Sequence, residues 1–335
     1  MKHHRAAGLV LGVAFDHAFG DPRRWHPVAG FGWVATHLEQ RTYPIDATSR
    51  RLAGAAHTAV LVATAAATGA LAERGSRRPI LVTAIATWVV LGGRSLDREA
   101  TAIAHLLAKD DLAGARQRIR HLVGRDPTGL TADEIARACV ESIAENTSDA
   151  VVAPLLWGAT AGIPGLFGYR AVNTLDAMIG HRTERYREFG MPAARLDDVA
   201  NWLPARLTAA LVAAAAPVVG GAPRAALRAW RRDARQHPSP NAGPVEASFA
   251  GALGVRLGGV NRYGNRVEDR GHLGEGPAPT PADIARVVRL SRAVQLAALA
   301  VSVMIAGRSE APRRSLLPAT IAIVGHRHRP AGDAA

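Results

Sequence analysis

The sequence predicts a mainly α-helical, multi-helix integral membrane protein with partly embedded or broken helices and polar cytoplasmic loops. Three observations predict this class: 48% of the 335 residues are hydrophobic, several apolar stretches approach the length of a bilayer span, and acidic residues cluster where those stretches end. A soluble, alanine-rich helical protein is the alternative. The long Leu52–Leu71 stretch and its arginine-flanked neighbours disfavour that alternative. Strand signals are few, so little sheet is expected.

Helices are predicted through most of the N-terminal half. A basic start leads into the apolar stretch Ala6–Phe15, where Asp16 interrupts a signal-peptide pattern and so favours a retained first helix. Leu52–Leu71 is about as long as a spanning helix needs to be, and Pro79–Gly93 is shorter but strongly apolar. From Leu96 to Asp149 the apolar residues recur at helical spacing, so this polar region is also predicted to be helical.

Capping signals divide that polar region into separate helices. Asp110 and Asp111 precede a second helix, and Thr131 with Glu134 forms a capping box at the start of a third. In contrast, the region Arg224–Asp283 is rich in Gly, Pro, Asn and Arg, and we expect it to be the longest loop.

The later apolar stretches are interrupted. Ala150–Gly168 contains two prolines and several glycines, Leu203–Gly221 contains two prolines, Val287–Ala306 has arginines near its start, and Leu316–Val324 is too short to span alone. Because polar motifs flank Ala150–Gly168 and Leu203–Pro217, one shared site requires that neither stretch simply crosses once. We expect both to fold back or to pack as half-buried helices. One membrane domain is predicted over residues 1–325, with a disordered tail over 326–335.

The charge balance narrows the possible partners. The formal net charge is +13, almost all of the positive charge is arginine, and the arginines are dispersed between apolar stretches. Without a basic helix or interleaved aromatics, nucleic-acid binding is excluded, and acidic lipid or an anionic substrate is favoured. Cys139 is the only cysteine, so no intrachain disulfide can form, and we interpret it as a small buried residue.

The most informative segment is Glu141–Asp149, which runs directly into an apolar stretch. Glu141, Glu145 and Asp149 are spaced i, i+4, i+8 and therefore lie along one helix face. Like charges at this spacing repel unless a cation or donor group lies opposite, and Mg²⁺ prefers carboxylate and amide oxygens together with substrate phosphates. A solvated acidic stripe is the alternative, which the apolar flanks disfavour.

Two further polar sets follow. Asn173 and Asp176 are spaced i, i+3 and precede several arginines, so they could hold a metal and a phosphate together, or equally form surface ion pairs. In the next set, Asp197 and Asn201 share a helix face, and N-capping alone does not explain so many acids. The members of the third set are Arg195, Asp197, Asp198, Asn201 and the following Arg206.

A Pro/Gly-rich segment completes the candidate site. His237–Gly243 is rigid enough to present backbone N–H groups to an anion. It lacks the Gly-Lys-Ser/Thr of a phosphate-binding P-loop, and most such segments are only turns.

Taken in order, these blocks resemble the CobD/CbiB family of cobalamin-biosynthesis membrane proteins, the adenosylcobinamide-phosphate synthases. The similarity extends to about Gly276 and departs from the family pattern beside the motifs, at Ala150, Ala177, His181 and Pro244, while leaving the carboxylates intact. The blocks are Asp16 with Gly20-Asp-Pro22 and His26-Pro-Val28, Val123-Gly-Arg-Asp126, Glu141–Asp149, Val152-Ala-Pro154, Tyr169 with Ala171–Asp176, Arg185-Tyr186 with Phe189-Gly190, Ala194–Asp198 with Asn201 and Pro204-Ala-Arg206, and His237–Gly243 with Gly251–Gly254 and Leu257–Gly259.

The resemblance implies a ligase that forms a C–N amide bond. It would join (R)-1-amino-2-propanol, or its O-phosphate, to a propionate of adenosylcobyric acid, with ATP as co-substrate and Mg²⁺ as cofactor. The enzyme would lie in the inner cell membrane, with lipid around it and its site on the cytoplasmic side. The implied catalytic residues are Glu141, Glu145, Asp197 and Asp198, the metal ligands Asp149 and Asp176, and the substrate- or phosphate-binding residues Arg125, Asn146, Asn173, Arg185, Arg195, Asn201, Arg206, Ser239 and Asn241.

Two alternatives remain open at this point. One is a non-catalytic membrane transport or scaffold protein, which would have long continuous spans with isolated charges inside them. The other is a different Mg²⁺-dependent membrane transferase acting on a phosphorylated lipid. Acids at the ends of the stretches, rather than inside them, favour a site at the membrane interface.

Overall fold

A computed structural model describes residues 4–22, 26–44, 46, 48–124, 126–181, 183–263 and 266–309. The predicted tail 326–335 and the short stretch Leu316–Val324 lie outside these residues. In chain order the elements are α1 His4–Phe19, α2 Pro27–Thr42, α3 Arg50–Gly75, α4 Pro79–Val90, α5 Gly93–Leu107, α6 Leu112–Ile119, α7 Ala132–Thr147, a π-helical turn Ser148–Val152, α8 Ala153–Ile179, α9 Tyr186–Phe189, α10 Met191–Ala200, α11 Trp202–Ala215, α12 Pro223–Asp233, α13 Ala242–Leu253, β1 Leu257–Tyr263, β2 Arg266–Leu273 and α14 Pro281–Ser309.

Among the described residues, five helical stretches are long and apolar enough to cross a membrane, which confirms the predicted multi-helix membrane class. The predicted segment Leu52–Leu71 lies within the first of them, and Val287–Ala306 lies within the last. The five are Arg50–Gly75, Pro79–Leu107, Ala132–Ile179, Trp202–Val219 and Pro281–Arg308.

The helix predicted near the N-terminus is present as α1, which packs closely against α4. A side chain at Gly8 would collide with Thr83, and one at Gly12 would collide with Thr87. Glycines four residues apart leave a groove that lets two helix backbones approach, as in many membrane proteins. The order of the contacts shows that α1 and α4 run parallel.

The predicted capping signals are confirmed. The Thr131 hydroxyl accepts a hydrogen bond from Glu134 N at 3.3 Å, and the Thr131 N–H donates to Glu134 Oε2 at 2.8 Å, so the capping box starts α7. The Asp111 carboxylate likewise accepts from Gly114 N at 2.8 Å and starts α6. Buried apolar side chains of α7, α13 and α14 form the centre of the largest core, for example Ile143 and Phe249.

Helix α8 folds back on itself at Gly162. The backbone of Gly162 has φ 70° and ψ −151°, a conformation that only glycine adopts easily. A side chain at Gly165 would collide with the Trp157 carbonyl, and the Tyr169 hydroxyl lies 3.1 Å from the Asp149 carbonyl oxygen, so the arms on either side of Gly162 run antiparallel. The predicted return of Ala150–Gly168 is confirmed. We call this unit the α8 hairpin.

The tip of the α8 hairpin is held by an N-terminal arginine. A broken helix leaves carbonyl groups without N–H partners, which is costly away from water. Arg5 Nη1 donates to the carbonyls of Ala159 at 3.3 Å and Thr160 at 3.4 Å, and Arg5 Nη2 lies 3.4 Å from Glu73 Oε1. The base of the α8 hairpin lies beside the break between α4 and α5, where Gly92 N donates to the Ala150 carbonyl at 3.3 Å.

The prediction that Arg224–Asp283 forms a long loop is wrong. This region holds α12, α13 and an antiparallel β-hairpin of β1 and β2, in which Leu257 pairs with Leu273. The glycines that indicated a loop instead allow an irregular strand, because Gly258 and Gly259 have φ of 81° and 83° where the register shifts. The prolines that also suggested a loop include Pro281, which stands at the start of α14, where proline is tolerated.

Replacing Gly162 with alanine is expected to destabilise the protein by about 1–3 kcal/mol, because the new side chain would be strained and would crowd Glu73 and Arg5. Gly168→Ala is the matched control, since Gly168 lies in the same hairpin and its added methyl would only touch Ala66 at 3.6 Å. Thermal unfolding of both variants in detergent measures the difference. Equal stability of the two variants would contradict the strained turn.

Candidate active site

Acidic side chains from different helices converge at the base of the α8 hairpin. Asp149 lies in the π-helical turn, and its charge interacts with those of Asp197 of α10, Glu145 of α7 and Asp176 of α8. Asp176 is also the charge that affects Asp197 most. We call Glu145, Asp149, Asp176 and Asp197 the acidic cluster. The structure therefore brings together one acid from the second predicted set, one from the third and two from the first.

Neutral polar groups hold this cluster in place. The Tyr169 hydroxyl lies 2.8 Å from Asn201 Oδ1 and 3.1 Å from the Asp149 carbonyl oxygen, so it links the π-helical turn to the end of α10. The Asn201 amide donates to Asp197 Oδ2 at 3.0 Å, and the Asn173 amide faces the same carboxylate. The predicted residues Asn173 and Asn201 thus both contact Asp197 and position its carboxylate. Their predicted role in binding substrate or phosphate stays a prediction.

Asp197 keeps one oxygen without a partner. Its Oδ1 atom is buried and has no hydrogen-bond partner within the described part of the chain. Burial and the nearby Asp176 raise the pKa of Asp197 to about 7, although the Asn201 and Asn173 amides act in the opposite direction. A carboxyl group with such a pKa can take up or release a proton near neutral pH.

Two arginines near the acidic cluster were not predicted. Arg170 interacts with the charges of Asp149 and Asp21, which brings the N-terminal Gly20-Asp21-Pro22 loop to the site, and Arg270 of β2 interacts with Glu145. Arg170 could have been found, because an arginine within an apolar stretch is costly unless it faces a polar site. Arg270 carries no comparable signal, since it reaches the cluster only through the hairpin that the sequence did not predict.

Glu141 contacts the β-hairpin. Glu141 Oε1 accepts a hydrogen bond from Gly258 N at 2.9 Å, and Arg137 Nη1 donates to the Gly258 carbonyl at 2.5 Å. Arg137 Nε also lies 3.9 Å from Glu141 Oε1. Glu141 therefore fastens β1 to α7, one turn away from Glu145. Its predicted catalytic role stays a prediction.

The predicted residues of the third set and of the Pro/Gly segment lie together. The Asn241 amide donates to the Asp198 carbonyl at 2.8 Å, and Arg206 Nη1 donates to Asn241 Oδ1 at 2.9 Å. The Ser239 hydroxyl accepts from Asn241 N at 3.3 Å, and Arg195 Nη1 lies 3.6 Å from Asp198 Oδ2. This polar group borders the acidic cluster because Asp197 and Asp198 are consecutive.

Other predicted residues have local partners. Arg185 binds Glu39 of α2 through Nη2 at 2.7 Å and Nε at 3.0 Å, so its guanidinium is already paired. The Asn146 amide donates to the Ser142 carbonyl at 2.9 Å within its own helix. Arg125 lies outside the described residues.

The cluster is compatible with Mg²⁺ only if the ion is shared with a substrate. Among the described residues, no three His, Cys, Asp or Glu side chains form a group that could hold a metal ion on their own. Mg²⁺ usually keeps several waters and binds one or two carboxylates together with substrate phosphates. The buried, unpartnered Asp197 Oδ1 is an oxygen donor of the kind such an ion would use.

The fold and the site together define a helical membrane protein whose carboxylate-rich site lies at the ends of its apolar stretches. A model of the family described as CobD/Cbib protein matches residues 9–291, and the chain belongs to this CobD/CbiB family.

Its curated relatives carry the name cobalamin biosynthesis protein CobD. The Mycobacterium tuberculosis H37Rv protein is 53% identical over 306 residues, covering 91% of this chain and 96% of the relative. The proteins of Rhodobacter capsulatus and Chromobacterium violaceum are each 43% identical, covering 86% and 84% of this chain and 93% and 90% of the relatives. No solved structure matches the chain. The protein therefore has a role in cobalamin biosynthesis.

Asp197→Asn is expected to stabilise the folded protein at about pH 8 by several degrees. The folded pKa of Asp197, about 7, lies above the ordinary value of 3.8, so the folded state binds more protons between these values and its stability falls as pH rises through them. The neutral amide removes that loss. Thermal unfolding across pH 4 to 8 tests this, with the exposed acid Glu188→Gln as control. Parallel pH profiles for wild type and Asp197→Asn would contradict the raised pKa.

Proposed function

We propose that the chain joins (R)-1-amino-2-propanol, or its O-phosphate, to a propionate of adenosylcobyric acid in an ATP-dependent reaction. The product is adenosylcobinamide or its phosphate. The family and the names of the relatives support a place in cobalamin biosynthesis. The observation that carries the proposal is the convergence of Glu145, Asp149, Asp176 and Asp197. Phosphoryl transfer to a carboxylate requires oxygen ligands for the metal ion that neutralises the phosphate charge.

The reaction needs activation of a poor electrophile. A carboxylate does not react with an amine, so a phosphoryl group moves from ATP to the propionate oxygen and leaves an acyl phosphate and ADP. The amine nitrogen then attacks the acyl carbon, the C–N bond forms, and the C–O bond to phosphate breaks. Inorganic phosphate leaves, and the attacking nitrogen gives up one proton to a nearby base, so that the amide keeps one N–H.

Asp197 is suited to accept an amine proton. Its carboxylate is oriented by Asn201 and Asn173, and its pKa of about 7 lets it hold a proton near neutral pH. Glu145 is the second candidate for this base because its charge interacts with that of Asp149. Asp198 follows Asp197 directly in the chain. Its backbone carbonyl accepts a hydrogen bond from Asn241, and its carboxylate lies near Arg195.

Asp149 and Asp176 would hold Mg²⁺ together with the substrate phosphates. Bound there, the ion would neutralise phosphate charge. Arg195 and Arg206 supply positive charge beside the cluster, and Arg206 is held over the Trp202 ring with its guanidinium 4.6 Å from the ring centre. Such a fixed guanidinium is suited to bind phosphate oxygens in pairs.

Purified wild-type protein is expected to convert adenosylcobyric acid, ATP and aminopropanol phosphate to an amidated product in the presence of Mg²⁺. Asp149→Asn and Asp197→Asn are expected to reduce the rate by at least about a hundredfold, because both remove charge from the reacting site. Mass spectrometry of the corrinoid measures the product, and Glu188→Gln is the matched control. No product from folded wild-type protein would refute the ligase and leave the transport or transferase alternatives.

The proposed reaction also sets the orientation in the membrane. ATP is cytoplasmic. If the protein lies in the inner membrane, the segments that border the site should therefore all face the cytoplasm. Single cysteines at positions 130, 185 and 240 in a Cys139→Ser background are expected to react with an impermeant reagent only from that side. Labelling of any of the three from the opposite side would contradict either the shared site or its cytoplasmic position.

A further inference from the structure

A basic pocket lies between α5, α6 and α14. It has a volume of about 490 Å³, and its charged walls are Arg94, Asp97, Arg98, His105, Arg118 and Arg292. It shares no residue with the acidic cluster or with any predicted site. No local pattern marks it in the sequence, because its arginines are dispersed along the chain.

Only part of this positive charge is balanced by the protein. Arg292 Nε donates to Asp97 Oδ2 at 2.6 Å, and Arg118 lies 2.6 Å from Glu99 through its Nε atom. In contrast, the side chains of Arg94 and Arg98 have no hydrogen bond or close ion pair within the part of the chain that the structure describes. The charge of Asp16 acts on Arg94, whose backbone N–H binds that carboxylate, so Arg98 is the less balanced of the two guanidinium groups.

The spacing of these arginines, of which Arg94 is half-buried and Arg98 exposed, suits an anion that lies between them. Arg94 and Arg98 are one helical turn apart on α5, and like charges at i, i+4 destabilise a helix. The face continues through Thr101 to His105, so the same side of α5 lines the whole pocket. An anion between the two guanidinium groups would turn this repulsion into attraction.

The amount of charge indicates which anion. Arg292 and Arg118 are balanced by Asp97 and Glu99, and the charge of Asp16 acts on Arg94. The full charge of Arg98 and part of that of Arg94 remain for a ligand, and Arg289 of the adjoining cavity adds one more. A phosphate monoester carries about −1.5 to −2 at neutral pH, whereas a carboxylate carries only one negative charge. Arginine also binds phosphate oxygens in pairs.

The pocket continues into a groove lined by apolar and basic side chains. A second cavity of about 370 Å³ shares Thr101 and Arg292 with the first. Its other walls are Ala104, Ala282, Ile284, Ala285 and Val288, together with Arg289 and with Arg286, which is paired with Asp283. A molecule that fills both spaces has a phosphate at one end and an apolar part at the other, as a lipid with a phosphate monoester headgroup has.

We propose that this pocket binds a phosphate-bearing molecule, with the phosphate held by Arg94, Arg98 and the free edge of Arg292 and the apolar part in the adjoining groove. The site is separate from the proposed ligase chemistry and does not depend on it. Because Gly92 donates to the Ala150 carbonyl, an occupant would lie beside the helical turn that carries Asp149. The same chemistry is available from a bilayer lipid or from a soluble phosphate compound.

The test compares full-length wild type with Arg98→Glu, which reverses one unpaired charge, and with Arg228→Glu, an exposed arginine of α12 outside the pocket. In one arm, detergent-solubilised protein is dialysed against radiolabelled inorganic phosphate and against glycerol phosphate, neither of which is a substrate of the proposed ligase. In the other arm, protein is recovered from phosphatidylcholine vesicles with or without phosphatidic acid, a phosphate monoester lipid, and retained lipid is identified by native mass spectrometry. Thermal unfolding checks each variant, and Arg98→Gln replaces Arg98→Glu if the latter is unfolded.

Wild type and Arg228→Glu are expected to bind at least one of these probes, and the Arg98 variant is expected to bind that probe about tenfold or more weakly. Retention of phosphatidic acid identifies the lipid as the source, and binding of phosphate or glycerol phosphate identifies a soluble ligand. The proposal is overturned if no probe binds folded wild type, or if the Arg98 variant binds as well as wild type. Neither result bears on the amide ligation assay.

Discussion

The reversal of the chain at Gly162 is the constraint on which the rest of the structure depends. A straight helix from Ala132 to Ile179 would be about 70 Å long and would place Asp149 far from Asp176. The reversal returns the second arm to the same end of the bundle. Tyr169 can then reach Asp149 and Asn201, and Asp176 can face Asp197. A single glycine conformation thus decides which carboxylates meet.

Bringing these carboxylates together opposes stability. The carboxylates of the acidic cluster are shielded from water and repel one another, and Arg170 and Arg270 balance only part of their charge. Most of the polar groups that hold Asp197 are neutral amides, which orient the carboxylate without neutralising it. The arrangement is typical of sites where stability is sacrificed for chemistry, since ordinary surface acids avoid such neighbours.

The sequence predicted the features that depend on local physics. The capping box of α7 and the Asp111 cap of α6 were found because the capping side chain and the N–H group it binds lie within three residues of each other. The apolar stretches and the return of Ala150–Gly168 were found from composition and from its prolines and glycines. The grouping of the acids followed from their position at the ends of those stretches.

The missed features depend on contacts between distant parts of the chain. Arg185 binds Glu39 across 146 residues, and Gly258 binds Glu141 across 117, and no local pattern encodes either pair. Glycine was interpreted as a loop signal in the region of β1 because its role in an irregular strand is visible only once the partner strand is known. The basic pocket was missed for the same reason, since α5 and α14 meet only in the folded chain.

The contact between Arg5 and the α8 hairpin has a consequence for how the molecule is built. The arginine precedes the Ala159 carbonyl by 154 residues, so a ribosome delivers it many seconds before the hairpin exists. Helix α1 is therefore synthesised well before the turn of the α8 hairpin, which Arg5 will later bind, has been translated. Until they meet, the carbonyl groups at the tip of the hairpin lack this donor, and water or the insertion machinery must satisfy them. Biogenesis of this protein is thus ordered by a bond between its earliest residues and its middle.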